Sequence, residues 1–344
     1  MSELISVLIP AYNSERWLAG TLRSVLAQTW PRLEVIVVDD GSRDATLAVA
    51  RTFEGKQVKV VTQPNQGACA ARNHAFSLAQ GTYIQWLDAD DLLHPDKISA
   101  QMRVASELAD RSVLLSGPFA TFYFRPERAT FVPSTMWADF PPVEYFLTRF
   151  TNNVFLQTGA WLTSRELATA AGDWTDVHSP DDDGEYFCRV VAAGTGVKFV
   201  RDAMAYYRVG NYGSVNKSRS ARAETALFGS KVKCIRHLLA LEDSPRTRAA
   251  SVRLLQDWLP DFYPHRVDIV KQARDLAHEL GGELRTPVVR AKYRPIEWMF
   301  GYPTAVAAMR VLPRLRDQMA CKWDECLYRF SSSAAAREPK PQRS

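Results

Sequence analysis

Apolar and polar positions alternate in blocks along the first ninety residues. Leu4 to Pro10 is an apolar run broken only by Ser6, as expected of a strand buried on both faces. Pro10–Ser14 interrupts it, and from Trp17 to Leu26 the apolar residues recur at helical spacing. Leu33–Val38 reads as a second strand, stopped by Asp39-Asp40-Gly41-Ser42, with Asp44 placed to cap a helix running to about Phe53. Val58–Val61 is a third strand; Asn65-Gln66-Gly67 leads into a helix ending near Gln80-Gly81, and Tyr83–Leu87 is the fourth strand. Four strand–loop–helix alternations predict an α/β fold built on a doubly wound, Rossmann-like, mostly parallel sheet with flanking helices.

Beyond residue 110 the pattern is less regular. Ser112–Ser116 and Ala120–Phe124 read as strands, the Pro- and aromatic-rich 133–142 stretch as a loop, and Val197–Val200 and Ala203–Tyr207 as closing strands. Ala221–Leu241, Arg246–Leu259 and Val267–Leu280 are helical by period, with Pro245, Pro260 and Pro264 as punctuation. The predicted division is an α/β domain over 1–220, a helical region over 221–330, and a disordered Ser/Ala/Pro tail over 331–344.

Charge changes this picture more than bulk composition does. The net charge of +5 divides into −3 over residues 1–229 (22 basic, 25 acidic) and +8 over 230–344 (21 basic, 13 acidic). Such asymmetry suits contact with an anionic surface, against the plainer reading of a solvated helical face. Within the basic part, Ile296–Arg316 mixes Trp298, Met299, Phe300 and Tyr302 with Arg310, Arg314 and Arg316. That composition suits a helix lying in a membrane interface, although apolar stripes more commonly pack on a neighbouring domain. No nucleic-acid recognition motif accompanies the charge. The five scattered cysteines lack metal-ligand spacing, and Met1-Ser2-Glu3 leads directly into a strand. The expected setting is the cytoplasm, with the segment 290–344 able to touch the inner face of the cell membrane.

The candidate chemistry follows from the fold. In doubly wound sheets, ligands bind beyond the carboxyl ends of the strands. That rule gathers the Tyr12 loop, the Asp39-Asp40 loop and the Asp88-Ala89-Asp90-Asp91 cluster on one rim. Three carboxylates in four positions repel one another unless a positive group joins them, and their hard oxygens suit Mg²⁺ or Mn²⁺ beside a diphosphate. An isolated Asp-X-Asp is otherwise an acidic, helix-capping turn. Tyr12 could stack on a base and Asp40 could accept a hydrogen bond from a base or ribose. There is no Gly-X-Gly-X-X-Gly and no Walker-type lysine.

Val7–Asn13, Val37–Ser42, Asn65-Gln66-Gly67 with Ala71-Arg72-Asn73, and Leu87–Asp91 together resemble the family 2 glycosyltransferases, which have the GT-A fold. The resemblance implies that Pro10, Tyr12, Asn13, Asp40, Gly67, Arg72, Asp88 and Ala89 bind the nucleotide. It implies that Asp90, with Asp88, holds the divalent cation. Aligning the family's helical arginine on Arg189 places its acidic pair at Asp182-Asp183, with Asp183 as general base. Here the first acid is Asp rather than Glu, Gly184 replaces a bulky residue, and Asp181 and Glu185 leave the register open by one. Asn153 and Gln157 lie where the family places an acceptor-side segment. Tyr207–Ser214 is similar to its terminal loop but lacks the usual His near Gly210/Asn211, leaving Arg208, Asn211 and Ser214 as substitutes.

The resulting expectation is an inverting, metal-dependent glycosyltransferase that uses a nucleotide-sugar donor. UDP is the family's commonest donor nucleotide, with GDP and dTDP open. The acceptor would be a hydroxyl of a glycan or a lipid-linked saccharide. A nucleotide-sugar-binding protein without turnover is the alternative, motivated by the missing His. Nucleotidyl transfer lacks the Gly-rich basic loop it would require. The helical part could also pair two subunits in a homodimer.

Overall fold

The computed structural model describes residues 2–108, 110–175, 179–210 and 220–335. Two compact units emerge: Met1–Ala120, Phe131–Tyr207 and Gly213–Arg285 form the first, and Thr121–Thr130, Arg208–Tyr212 and Thr286–Ser344 the second.

The first unit opens with β1 (Ile5–Ala11), α1 (Leu18–Leu26), β2 (Leu33–Asp39), α2 (Thr46–Arg51), β3 (Val58–Thr62), α3 (Ala68–Leu78) and β4 (Tyr83–Trp86). It continues through β5 (Leu92–Leu93), α4 (Lys97–Glu107), β6 (Val113–Ser116) and β7 (Phe119–Phe122). Next come α5 (Pro142–Asn152), β8 (Thr163–Ser164), α6 (Arg165–Ala171), α7 (Asp182–Ala193), β9 (Gly196–Phe199) and β10 (Ala205–Arg208). Helices α8 (Ala221–Leu241), α9 (Pro245–Phe262) and α10 (Val267–Glu279) complete it.

The main sheet has the order β3-β2-β1-β4-β8. Its first four strands are parallel, with Leu8 opposite both Ile36 and Trp86, and β8 joins antiparallel through Tyr83–Ser164. Chain order reverses across β1, so the loops after β1 and β4 flank the crevice where this architecture binds ligands. The nearly continuous apolar run of β1 is needed because both faces are covered. Ile5, Val7 and Ile9 face a core with Leu18, Leu22 and Ile98, whereas Leu8 joins Trp86, Tyr186 and Phe187 on the other side.

Helices α8–α10 bury Leu227, Ile235, Leu254 and Ile269 in that second core, continuous with the sheet. The first unit thus runs on through these helices to Arg285, past the change in pattern at 220. Pro260 also departs from expectation, since it lies inside α9 instead of ending it.

The second unit contains the long α11 (Arg294–Ala335), interrupted at Gly301. Val289, Tyr293 and Ala305 form its small apolar cluster, and Asp324 pairs with Arg125. The expected tail from 331 is helical as far as Ala335, and 336–344 lies outside the described residues.

Candidate active site

Two acidic segments meet at the crevice. Asp88 follows β4, and Asp181, Asp182 and Asp183 open α7, where backbone N–H groups and the helix dipole favour negative charge. Arg72, from the middle of α3, binds the two segments together. It donates through Nη1 to Asp182 (2.7 Å) and through Nη2 to Asp88 (2.8 Å), while its guanidinium lies 4.2 Å from the Trp174 ring centroid. Burial alone would lower its affinity for a proton, but Asp182 and then Asp88 outweigh that and keep it charged.

Asp181 has its own cations: Lys231 Nζ at 2.6 Å and Arg149 Nη2 at 3.8 Å. Asp183 has none among the described residues. It accepts from the Gly184 N–H at 2.8 Å, with Thr158 Oγ1 at 3.5 Å. Burial, then Asp182, Asp181 and Asp88, push its carboxyl up to about 7, against a smaller opposing pull from Arg72. Three consecutive aspartates thus have three electrostatic fates.

Asp88 and Asp183 line one cavity of about 220 Å³ together with Arg149, Asn153, Phe155 and Gln157. Thr158, Asp181, Tyr207, Lys231 and Trp258 also reach it. Gln157 caps the turn over 158–160, accepting from the Gly159 N–H at 2.5 Å. Its Nε2 is buried and has no acceptor among the described residues. Asn153 adopts the left-handed conformation at the end of α5 (φ 48°). Phe155 stands 52% exposed on the lip and packs on Phe119 at 5.6 Å.

The predicted nucleotide residues lie around the sheet edge. Tyr12 is 44% exposed after β1, open to a planar ligand. Asn13 turns that loop (φ 48°) by accepting from the Arg43 N–H and donating its own N–H to Ser42 Oγ. Pro10 is part of β1. Asp40 is buried, and its carboxylate receives Gln63 Nε2, Gln66 N–H and Gly67 N–H at 2.8–2.9 Å, so it organises the entry to α3 from within. Ala89 is buried with its carbonyl accepting from Thr21. Asp90 is partly exposed at the same rim as Asp88.

No group of three or more His, Cys, Asp or Glu residues able to hold a metal gathers among the described residues. The donor set still fits a hard divalent ion: Asp88 and Asp90 offer partly exposed carboxylate oxygens, leaving the remaining positions to a diphosphate and water.

Other candidates fall elsewhere. Arg208 belongs to the second unit, where it donates to the Tyr123 carbonyl and stacks on Phe122. Asn211 and Ser214 lie outside the described residues. Arg189 braces the turn after α6 by donating to the Ala171 and Asp173 carbonyls. Two of the three departures from the family pattern lie in tight surroundings. At Gly184 a Cβ would stand 2.3 Å from Asp181 Oδ1 and 2.5 Å from Arg149 Nη2. At Gly210 the backbone has φ +90°, strained for any side chain, and a Cβ would be 2.6 Å from Cys321 Sγ.

Arg149, Lys231 and Trp258 were not foreseen. A signal existed for the first two. Arg149 shares the buried stripe of Tyr145, Phe146 and Phe150, and Lys231 that of Leu227, Cys234 and Ile235. A cation on an apolar stripe demands a buried anion.

Comparison with known proteins places these features in context. Residues 6–170 match the family described as Glycosyl transferase family 2. Glycosyltransferase GlyG of Streptococcus pneumoniae is 26% identical over 304 residues, covering 81% of this chain and 96% of its own. The putative teichuronic acid biosynthesis glycosyltransferase TuaG of Bacillus subtilis is 39% identical over 107 residues, 30% of this chain and 42% of its own. An uncharacterized Rickettsia typhi glycosyltransferase matches at 35% over 33% of this chain, which spans only 36% of that relative. Among solved structures, S. aureus TarS 1–349 in complex with UDP superposes with a TM-score of 0.60 at 17% identity, covering 80% of this chain and 88% of that one. That likeness concerns the fold.

Proposed function

We propose, from the premise that this chain belongs to glycosyl transferase family 2, that it transfers a sugar with inversion from a nucleoside diphosphate sugar to an acceptor hydroxyl. The observation carrying this reading is the cavity that Asp88 and Asp183 share, one at the rim where donors bind and the other without a cationic partner. A proton affinity near 7 suits a general base at neutral pH.

In the reaction, Asp183 takes the proton of the acceptor hydroxyl as that oxygen forms its bond to the anomeric carbon. The bond from that carbon to the diphosphate breaks on the opposite face, and the nucleoside diphosphate departs with the electron pair. Arg72 bridges Asp182 and Asp88 and holds both carboxylates in place beside Asp183. Tyr12 offers its ring to the base. Asp90, with Asp88, would hold Mn²⁺ or Mg²⁺, which when bound neutralises charge on the leaving diphosphate. Gln157 and Asn153 face the acceptor, and the buried, unaccepted Nε2 of Gln157 supplies a donor for a saccharide oxygen.

UDP is the favoured nucleotide: TarS is described with UDP and UDP-GlcNAc, although a Pyrobaculum calidifontis mannosyltransferase of similar fold is described with GDP-Man and Mn²⁺. TuaG is described as a putative teichuronic acid biosynthesis glycosyltransferase, which supports a saccharide hydroxyl as acceptor.

Calorimetric titration of UDP, GDP and dTDP, with and without Mn²⁺, into wild type and Asp90→Ala tests the donor site. One nucleotide should bind in a metal-dependent way and lose most affinity in the variant. Equal binding by the variant would remove Asp90 from the metal role. Binding without sugar transfer or donor hydrolysis, across a broad acceptor panel, would replace catalysis by a non-catalytic nucleotide-sugar-binding function.

A further inference from the structure

The second unit contains an apolar surface that the transfer reaction does not use. After Pro313, Leu315, Met319, Trp323, Cys326 and Phe330 follow at spacings of four, four, three and four residues, which puts them on one side of α11. Leu315 is 47% exposed, Met319 66%, Trp323 68% and Phe330 68%; Cys326 is exposed as well.

The opposite side of the same helix is the packed one. Cys321 Sγ approaches the Gly210 carbonyl at 4.0 Å, Asp324 pairs with Arg125 and accepts from the Phe124 N–H at 3.0 Å, and the Tyr328 ring lies 6.1 Å from that of Phe124. At about 100° per residue, Trp323 stands roughly 200° round the axis from Cys321. The helix is amphipathic in the reverse sense, with its larger apolar side chains facing out.

Charge identifies what covers them. Exposed Arg314, Arg316, Lys322 and Arg329 border the seam. Of the acids on this stretch, Asp324 is held by Arg125 on the packed side, Glu325 by Arg329 at 2.6 Å and Asp317 by Arg316 at 3.1 Å. Counted over residues 286–344, eleven Lys and Arg face five Asp and Glu. A second apolar group, Trp298 (88% exposed), Met299 (58%) and Phe300 (64%), precedes Gly301 close in sequence to Lys292 and Arg294. Two copies of this seam pressed together would set basic borders against basic borders. Anionic headgroups would neutralise those borders while the acyl region takes the apolar side chains. No helix among the described residues is long and apolar enough to cross a membrane, so the geometry is that of a helix lying on one.

We propose that the Leu315–Phe330 seam of α11, with its Arg and Lys border, docks this protein on an anionic lipid bilayer surface. This contact is independent of the reaction assigned above. The full chain is sedimented with vesicles of phosphatidylcholine and with vesicles of equal parts phosphatidylcholine and phosphatidylglycerol, and its mass in solution is measured by light scattering. Wild type should partition onto the anionic vesicles at least about tenfold better than onto the neutral ones. Leu315→Gln/Met319→Gln/Trp323→Gln should lose that partition with an unchanged circular dichroism spectrum, since these side chains are exposed. Arg314→Glu/Lys322→Glu should lose the preference for anionic lipid. Absent vesicle binding, or equal binding by the triple variant, would overturn the proposal. A wild-type dimer that the triple variant converts to monomers, without vesicle binding, would give the seam to a second copy of the chain.

Discussion

Asp183→Asn separates the catalytic and structural consequences of the site in one variant. Asn keeps the oxygen that receives the Gly184 N–H but cannot take a proton from an acceptor. Transfer should fall roughly 10²–10⁴-fold, with donor affinity largely retained. Stability should move the other way. An aspartate whose carboxyl is raised from 3.8 to about 7 in the fold is held there against its preferred charge. Between these values the native state binds more protons than the unfolded chain, so native stability falls as pH rises through this window. About three pKa units correspond to about 4 kcal/mol, fully expressed above pH 7 and vanishing toward pH 4. The Asn variant lacks this penalty. Thermal unfolding at pH 8 should show it several degrees more stable than wild type, with the difference closing as pH approaches 4. Wild-type kcat/KM should rise on its acidic limb through about pH 7. Unchanged turnover would remove Asp183 as base. A variant destabilised equally at pH 8 and pH 5 would refute the charge argument while leaving catalysis to be judged on the rate alone.

Two further substitutions probe its neighbours. Arg72→Gln deprives Asp88 and Asp182 of their shared cation, and unfolding should show a loss on the order of 3 kcal/mol together with weaker nucleotide binding by calorimetry; unchanged stability would mean the bridge is incidental. Phe155→Ala removes the exposed ring at the cavity lip, and acceptor KM should rise about tenfold with kcat and donor hydrolysis preserved. An effect on donor KM instead would move Phe155 to the other side of the reaction.

Much of the sheet was legible because its signal is local. β1 and β2 are apolar runs, interrupted only by Ser6 and Glu34, that end in Pro-Ala-Tyr-Asn and Asp-Asp-Gly-Ser, and both faces of those strands are covered. The acidic clusters were also readable one by one. Their joining through Arg72 was not, because it spans 110 residues from α3 to Asp182. The same holds for Asp181, whose lysine lies 50 residues downstream on a helix where the motif resemblance had ended. The predicted boundary at 220 followed a change in periodicity from mixed to helical. Periodicity cannot show that Leu227 and Ile235 enter the core already occupied by Trp86 and Tyr186. Asp40 marks another limit of motif reading, since the pattern gives the residue type but not the Gln66 and Gly67 amides that take its oxygens.

The run Asp181-Asp182-Asp183 shows why position in a motif is weaker than electrostatic environment as a guide to chemistry. By sequence, alignment on Arg189 placed the base at Asp183, with the register open by one residue. A base must be both reachable and able to hold a proton at the pH where it works. Asp182 pairs with Arg72, and Asp181 sits beside Lys231 and Arg149, so their charges are compensated within the fold. Burial first, and then those same carboxylates with Asp88, raise Asp183. Gly184 belongs to this arrangement, because a side chain there would strike both Asp181 and Arg149. A bulkier residue at 184 would oblige the Asp181 carboxylate and the Arg149 guanidinium to move aside. The cations supplied by α3, α5 and α8 pair with two of three adjacent aspartates and leave Asp183 without one among the described residues.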